Sequence, residues 1–325
     1  MKKLLFVLFT GFLFGVVTAC TGRVSASSST ATKIATDVVT VTAPSGTPTE
    51  SSSATELSSP TVLPATVTFT PSVTPTLAPD AWQSMPVIPA VSATARRIYQ
   101  AGLLLGNDPH AFSILGDCIS LPNSLFIDYG KSPDHYNLGQ FTYLQPVIDW
   151  FHDSFNRQSI SLANGFTSAA VLSPLMADPK QCKPDENPMA CEYRIHRPSY
   201  ALIAVGTDDY KSTPNAYEKR MRQIVEYTIS KGIIPILRTK ADNREGNDAF
   251  NKILARLAYE YDIPLWNFWA AVQPLPYGLA DDQGHLHWAD PRHFEYANAM
   301  KVAVPVYNLT ALETLDAVWQ GVTSP

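Results

Sequence analysis

Charge is scarce in this sequence. Asp, Glu, Lys and Arg make up 16% of its 325 residues and leave a net charge of −5, where an ordinary soluble domain carries about 25% charged residues. That balance gives no reason to expect nucleic acid or an anionic membrane face as a partner. Cysteine is scarce too, with four residues. No Cys-x-x-Cys and no helical His-x-x-x-His occurs, so zinc is not expected even though His285, His287 and His293 stand near Asp282 and Asp290 in the chain. Neither a metal nor a cofactor is expected. No apolar run reaches the about 20 residues that a spanning helix needs. Aromatic side chains are nearly missing from residues 21–79, which are mostly Ser, Thr, Val, Ala and Pro. Such a segment cannot bury enough surface to offset the cost of ordering it, which predicts a disordered stalk. A small β domain would need a strand-and-turn rhythm that the segment lacks.

What stands at the N-terminus is an address. Lys2 and Lys3 precede the apolar "LLFVLFTGFLFGVV", and "VTAC" ends in small residues before Cys20, the layout of a cleaved export signal. The ending on cysteine resembles a bacterial lipoprotein signal. The resemblance implies cleavage before Cys20 and a diacylglycerol on its sulfur; a retained N-terminal anchor is the alternative. Either way the chain is expected to be extracytoplasmic and tethered to the cell membrane. The expected organisation is residues 1–19 as signal peptide, 20–79 as lipid-anchored linker and 80–325 as one folded domain. All six tryptophans lie in that last part, and its length suits one α/β domain better than two. A monomer is expected.

Periodicity orders the domain. "VSATARRIYQAGLLLG" has a helix pattern and "FSIL" a strand that runs into Gly116-Asp117-Cys118. "QSISLAN" is the next strand candidate, and "GFTSAAVLSPL" reads as a helix starting on Thr167. "YALIAVG" is a continuous apolar run of the kind covered on both faces of a sheet. "TPNAYEKRMRQIVEYTISKG" opens with proline and closes with Gly232, as helices do. Strand "IIPILRT", helix "NDAFNKILARLAYEYD", strand "IPLWNFW" and a last helix "NLTALETLDAVWQGV" complete the order. Alternation of this kind predicts an α/β fold with a parallel five-stranded sheet covered by helices. Sites in such sheets lie at the carboxyl ends of the strands.

Four polar patches fall at those ends: Gly116-Asp117-Cys118, Asn164-Gly165, "GTDD" from Gly206 to Asp209, and "GLADDQGHLHWADPRHF" with Asp-x-x-His spacings at Asp282/His285 and Asp290/His293. Their order resembles the four motif blocks of the SGNH (GDSL-like) hydrolase superfamily, from Gly116 to His285. The resemblance implies a three-layer flavodoxin-like fold, ester or acetyl-ester hydrolysis, and no metal. It puts Cys118 at the nucleophile position and Asp282 with His285 as orienting acid and base, since His285 is followed by leucine as in the family. Asp290 and His293 form the second candidate pair.

The chemistry of acyl transfer needs each part: a nucleophile, a base, a group to orient the base, and donors for the oxyanion. Gly165 and Cys118 can offer backbone N–H groups. Two positions depart from the family. Cys118 replaces serine, and Asp208 replaces an asparagine whose amide donates to the oxyanion. An ionised carboxylate only accepts, and losing one donor costs about 100- to 1000-fold in rate. Asp208 could still donate if burial beside Asp209 keeps it protonated, and Ser120 is another hydroxyl nearby.

In an exported protein, Cys182 and Cys191, which bracket the polar loop "KPDENPMA", are expected to pair, leaving Cys118 free; a bridge from Cys118 to either is the alternative. Three readings of Cys118 stay open: a nucleophile, the relic of one in a site that only binds, or a buried inert thiol. The first gives a membrane-anchored hydrolase of an ester, an O-acetyl group on a glycan among the candidates. The second gives a non-catalytic surface module that binds glycan or peptide. His287 and the basic "RIHRPS" (194–199) are read as substrate contacts or plain solvated residues.

Overall fold

A computed structural model describes residues 77–282 and 284–324. The signal, Cys20 and nearly all of the linker lie outside the described residues. Among those described, no helix is long and apolar enough to cross a membrane.

The fold is α/β around one parallel sheet. Helix α1 (Ala93–Leu104) leads into β1 (Asp108–Gly116). Then come α2 (Gln145–Trp150), α3 (His152–Phe155), α4 (Pro188–His196) and β2 (Pro198–Ala204). Helix α5 (Pro214–Ser230), β3 (Ile234–Arg238), α6 (Ala249–Tyr261), β4 (Leu265–Trp266), α7 (Phe268–Val272) and α8 (Ala303–Thr323) follow. The strands lie in the order β1-β2-β3-β4, every pair parallel. Strands β2 and β3 are buried at every position, so helices cover both faces, as their unbroken apolar runs require. Caps fix the helix starts: Ser92, Asn187 and Thr213 each accept a hydrogen bond from the backbone N–H three residues on. Proline at the first helical position follows two of these caps, in α4 and α5.

The sheet has four strands, not five. "QSISLAN" runs along the free edge of β1 but forms only an isolated bridge, Gly116 to Leu162. Side chains do there what a strand's backbone would do. Ser154 Oγ accepts from the Phe112 N–H at 3.0 Å and Ser159 Oγ from the Ile114 N–H at 2.9 Å. The Ser161 hydroxyl donates to the Ile114 carbonyl at 2.9 Å, and Arg157 Nη2 to the Phe112 carbonyl at 2.7 Å. Serine-rich segments can satisfy a backbone edge this way without joining the ladder, and the edge is closed to further pairing.

Two more expectations change. Thr167 Oγ1 does accept from the Ala170 N–H, but the turn it starts does not propagate; a 3-10 turn at Pro174–Met176 follows instead. The Cys182–Cys191 disulfide forms as expected, yet it does not close a simple loop, because Cys191 already belongs to α4. "NPMACEYRIHR" carries its own cap and N-terminal proline, and Arg197 ends the helix in a left-handed conformation at φ 45°. The basic "RIHRPS" is therefore the end of α4 and the start of β2; Arg194 pairs with Glu186.

Gly116, at the last position of β1, is there for space. A Cβ at this point would stand 2.8 Å from the Ser120 Cβ and 3.0 Å from a Leu162 methyl. Gly116→Ala is expected to destabilise the domain by about 1–3 kcal/mol through overpacking. A drop in the urea midpoint with an unchanged slope would show it; an unshifted midpoint would mean the segment 117–120 yields freely.

Candidate functional site

The carboxyl ends of β1 and β2 meet through one buried side chain. Asp117 caps the short turn Cys118–Ser120 by accepting from the Ile119 N–H at 3.2 Å, and its other oxygen accepts from the Thr207 N–H at 3.2 Å. Further ties draw in the remaining segments. The Ala163 N–H donates to the Gly116 carbonyl, while Ser168 gives its N–H and hydroxyl to the two oxygens of Asp209 at 2.8 and 2.6 Å. Three stretches far apart in sequence thereby share one rim, and Cys118 starts its turn there.

The fourth stretch brings His285. Asp282 Oδ1 accepts from the backbone N–H groups of Gly284 and His285 at 3.0 and 2.9 Å, folding the loop so that Oδ2 meets His285 Nδ1. A carboxylate can only accept, so Nδ1 carries the proton and Nε2 offers its lone pair. That Nε2 lies 3.7 Å from the Cys118 sulfur. Desolvation pushes the Asp282 carboxyl up, but the hydrogen bonds from His285 and Gly284 outweigh it and hold the group well below the usual carboxylate range. The structure thus joins Cys118, His285 and Asp282 in one chain of contacts from sulfur to imidazole to carboxylate.

The second Asp-x-x-His spacing is used otherwise. Asp290 is taken up by the Arg292 side chain, and His293 Nδ1 faces Glu295 at 3.0 Å. His287 lies edge-on to Tyr277. Ser120 is buried and its hydroxyl shares a hydrogen bond with Tyr307, so it does not face the cleft.

Electrostatics divide the site. Burial, then the neighbouring Asp117 and Asp208 carboxylates, push the Cys118 thiol up to about 12. Asp117 is itself pushed up to about 6, by burial and by Asp208, against the pull of the buried Arg238 guanidinium. Burial raises Asp208 too, while Arg244, His285 and a hydrogen bond from the Cys118 thiol hold it back. Asp208 Oδ2 is sealed from solvent and has no hydrogen-bond partner. Asp209, by contrast, is fully engaged by Ser168 and sits 3.5 Å from Arg220. Gly165 holds φ +76°, and the space where its Cβ would project is empty. The left-handed turn keeps a side chain out of that opening.

Two residues were not singled out from the sequence. Arg244, in the loop after β3, lays its guanidinium 3.7 Å over the Tyr210 ring and reaches the Gly284 position of the histidine loop. It also borders a cavity of about 320 Å³ with Asn243, Trp269 and Gln273. Its signal was the third strand end, polar like the others but matched to no motif. Trp288 is 62% exposed and donates to the Asn123 carbonyl, bridging the histidine loop to the segment after Cys118. Among the described residues, one group has metal-ligand spacing, Cys182 with Glu186 and Cys191. Its sulfurs are spent in the disulfide.

No family model matches this chain, and no curated protein does. The functional reading therefore rests on the site alone.

Proposed function

We propose that this protein is an exported, lipid-anchored hydrolase of the SGNH kind, built on a divergent flavodoxin-like fold, that cleaves an ester through Cys118. The observation that carries the reading is the chain from the Cys118 sulfur, 3.7 Å to His285 Nε2 and on through Nδ1 to Asp282. His285 takes the thiol proton as the sulfur bonds to the acyl carbon and the carbonyl pair moves onto oxygen. The tetrahedral species expels the alcohol, which receives that proton from His285. Water then attacks the thioester, giving its proton to His285, and the thiolate leaves to be reprotonated. The N–H groups of Cys118 and Gly165 are the backbone donors assigned to the oxyanion. The Arg244 cavity, with its tryptophan and two amides, suits the carbohydrate part of an O-acetylated glycan.

A second reading, a binding module with a silent site, draws on the thiol held up at about 12. Trapping separates the two. Mixed with p-nitrophenyl acetate and quenched in acid, the hydrolase is expected to carry an acetyl group on the Cys118 peptide by mass spectrometry, and to accumulate p-nitrophenol catalytically. An unmodified peptide and no turnover across pH 4–9 would leave the binding module.

A further inference from the structure

Arg244 is the cation that the fold leaves free beside the contact of Cys118 with His285. Among the described residues it is the one arginine whose guanidinium donates no hydrogen bond; every other donates to a side chain or carbonyl of the fold. The residue is nonetheless held in place. Its backbone N–H donates to Asp242 Oδ1 at 3.3 Å; Asp242 is buried, paired with Lys240 at 2.8 Å, and accepts from the Thr207 hydroxyl at 3.0 Å. Its guanidinium lies 3.7 Å from the centroid of the Tyr210 ring. A Cβ on Gly284 would stand 2.9 Å from Arg244 Nη1, so the guanidinium is pressed against the histidine loop one residue before His285.

Stacking decides what such a group can hold. It occupies a face of the guanidinium and leaves the N–H edge open, the fork that meets a carboxylate through two parallel hydrogen bonds. Lys211 adds a second cation, its Nζ 5.3 Å from the centroid of the same Tyr210 ring. Asp208 feels the Arg244 charge, yet no carboxylate among the described residues pairs with it. The guanidinium borders the cavity of about 320 Å³, where the half-buried Trp269 gives an apolar wall and Asn243, Gln273 and Asp248 give hydrogen-bonding groups. An ionised Asp248 only accepts, which suits a hydroxyl. We propose that Arg244, with Lys211 beside it, is the specificity-determining residue of this site, and that the ester it selects carries a carboxylate on its alcohol part, as an acidic sugar does. The inference rests on the hydrolase reading and names its substrate class.

The test uses the full chain as wild type, Arg244→Gln, Arg244→Lys and Lys211→Gln. The substrates are 3- and 4-acetoxybenzoate and the methyl ester of each acid, which keeps the acetyl group and removes the charge. The wild type is expected to favour an acid over its methyl ester in kcat/KM. Arg244→Gln is expected to shrink that preference by about 10- to 100-fold, the worth of a hydrogen bond to a charged group. The change should fall on KM, because the contact is made in the ground state as well. Arg244→Lys keeps the charge without the fork and returns part of the preference; Lys211→Gln shrinks it by up to about fivefold, as loss of an exposed pair does. A disturbed histidine loop lowers acid and methyl ester together and leaves their ratio alone. A ratio equal in wild type and Arg244→Gln therefore overturns the assignment and leaves the hydrolase standing. Calorimetric binding of 3- and 4-hydroxybenzoate covers the other case. Without turnover in any form the hydrolase falls; binding that Arg244→Gln weakens by the same factor then supports the carboxylate subsite, and binding equal in both proteins, or none, overturns it too.

Discussion

His285→Ala is expected to lower kcat/KM for p-nitrophenyl acetate by about 10³- to 10⁴-fold while leaving the urea midpoint nearly unchanged. The two halves of that expectation come from different facts. Chemically, His285 is the only ring whose nitrogen is placed against the Cys118 sulfur in the described structure, so no neighbour can take the proton instead. Structurally, the His285 side chain is more than half exposed, and surface substitutions of this kind stay within about 0.5 kcal/mol. Cys118→Ala is expected to be as damaging as His285→Ala, and the double variant no worse than either, because residues that act as one unit do not add. Asp282→Asn should fall between, since the amide keeps the loop's backbone bonds but can set Nδ1 as an acceptor and turn the ring to the wrong tautomer. A His285→Ala protein that hydrolyses at the wild-type rate would show that the sulfur, if it reacts at all, does so without this base.

The four patches were legible because each is a short run of Gly, Asn, Asp or His after an apolar stretch, although only the first and third follow strands of the sheet, β1 and β2, and the last follows α7. Their order singled out Cys118, Asp282 and His285, which lie in contact with one another in the fold, whereas Asp290 is held by Arg292. The limits of legibility are equally physical. "QSISLAN" alternates as a strand does, but its serines bond the β1 edge through hydroxyls, and periodicity cannot tell a hydroxyl bond from a ladder bond. Helix α4 was hidden by the two cysteines, which drew the segment 182–191 into one loop although Asn187 and Pro188 mark a helix start. Arg244 was invisible because its role depends on Tyr210 and Gly284, both far from it in the chain. Most of all, the sequence could name Asp208 as a departure but not say that one of its oxygens is enclosed without a partner. That is a property of packing.

The same serine edge makes the largest stability prediction. Glu192 is fully buried on α4 and accepts from Ser113 Oγ at 2.5 Å, Arg157 Nη1 at 2.6 Å and the Ile160 N–H at 2.7 Å. Arg157 also donates to the Phe112 carbonyl and to Ser113 Oγ, so one guanidinium both neutralises Glu192 of α4 and closes the edge of β1, the strand that leads to Cys118. Arg157→Ala is expected to cost about 3–5 kcal/mol, because it leaves a buried carboxylate without its cation. Against a total of about 5–15 kcal/mol that is enough to lower Tm by about 10 °C. Adding Glu192→Gln should return part of the loss, since a neutral amide still accepts from the Ile160 N–H. The defect should also depend on pH, through His196, whose Nε2 lies 3.8 Å from Glu192. In the wild type, burial, aided by Arg157, holds His196 below the ordinary histidine range against the attraction of Glu192. Protonating it then costs stability as pH falls. Without Arg157 the repulsion is gone and Glu192 favours the charged ring, so the Arg157→Ala penalty should be smaller at pH 5 than at pH 8. A penalty under about 1 kcal/mol at both would mean that water replaces the guanidinium, and that the β1 edge is held by its serines alone.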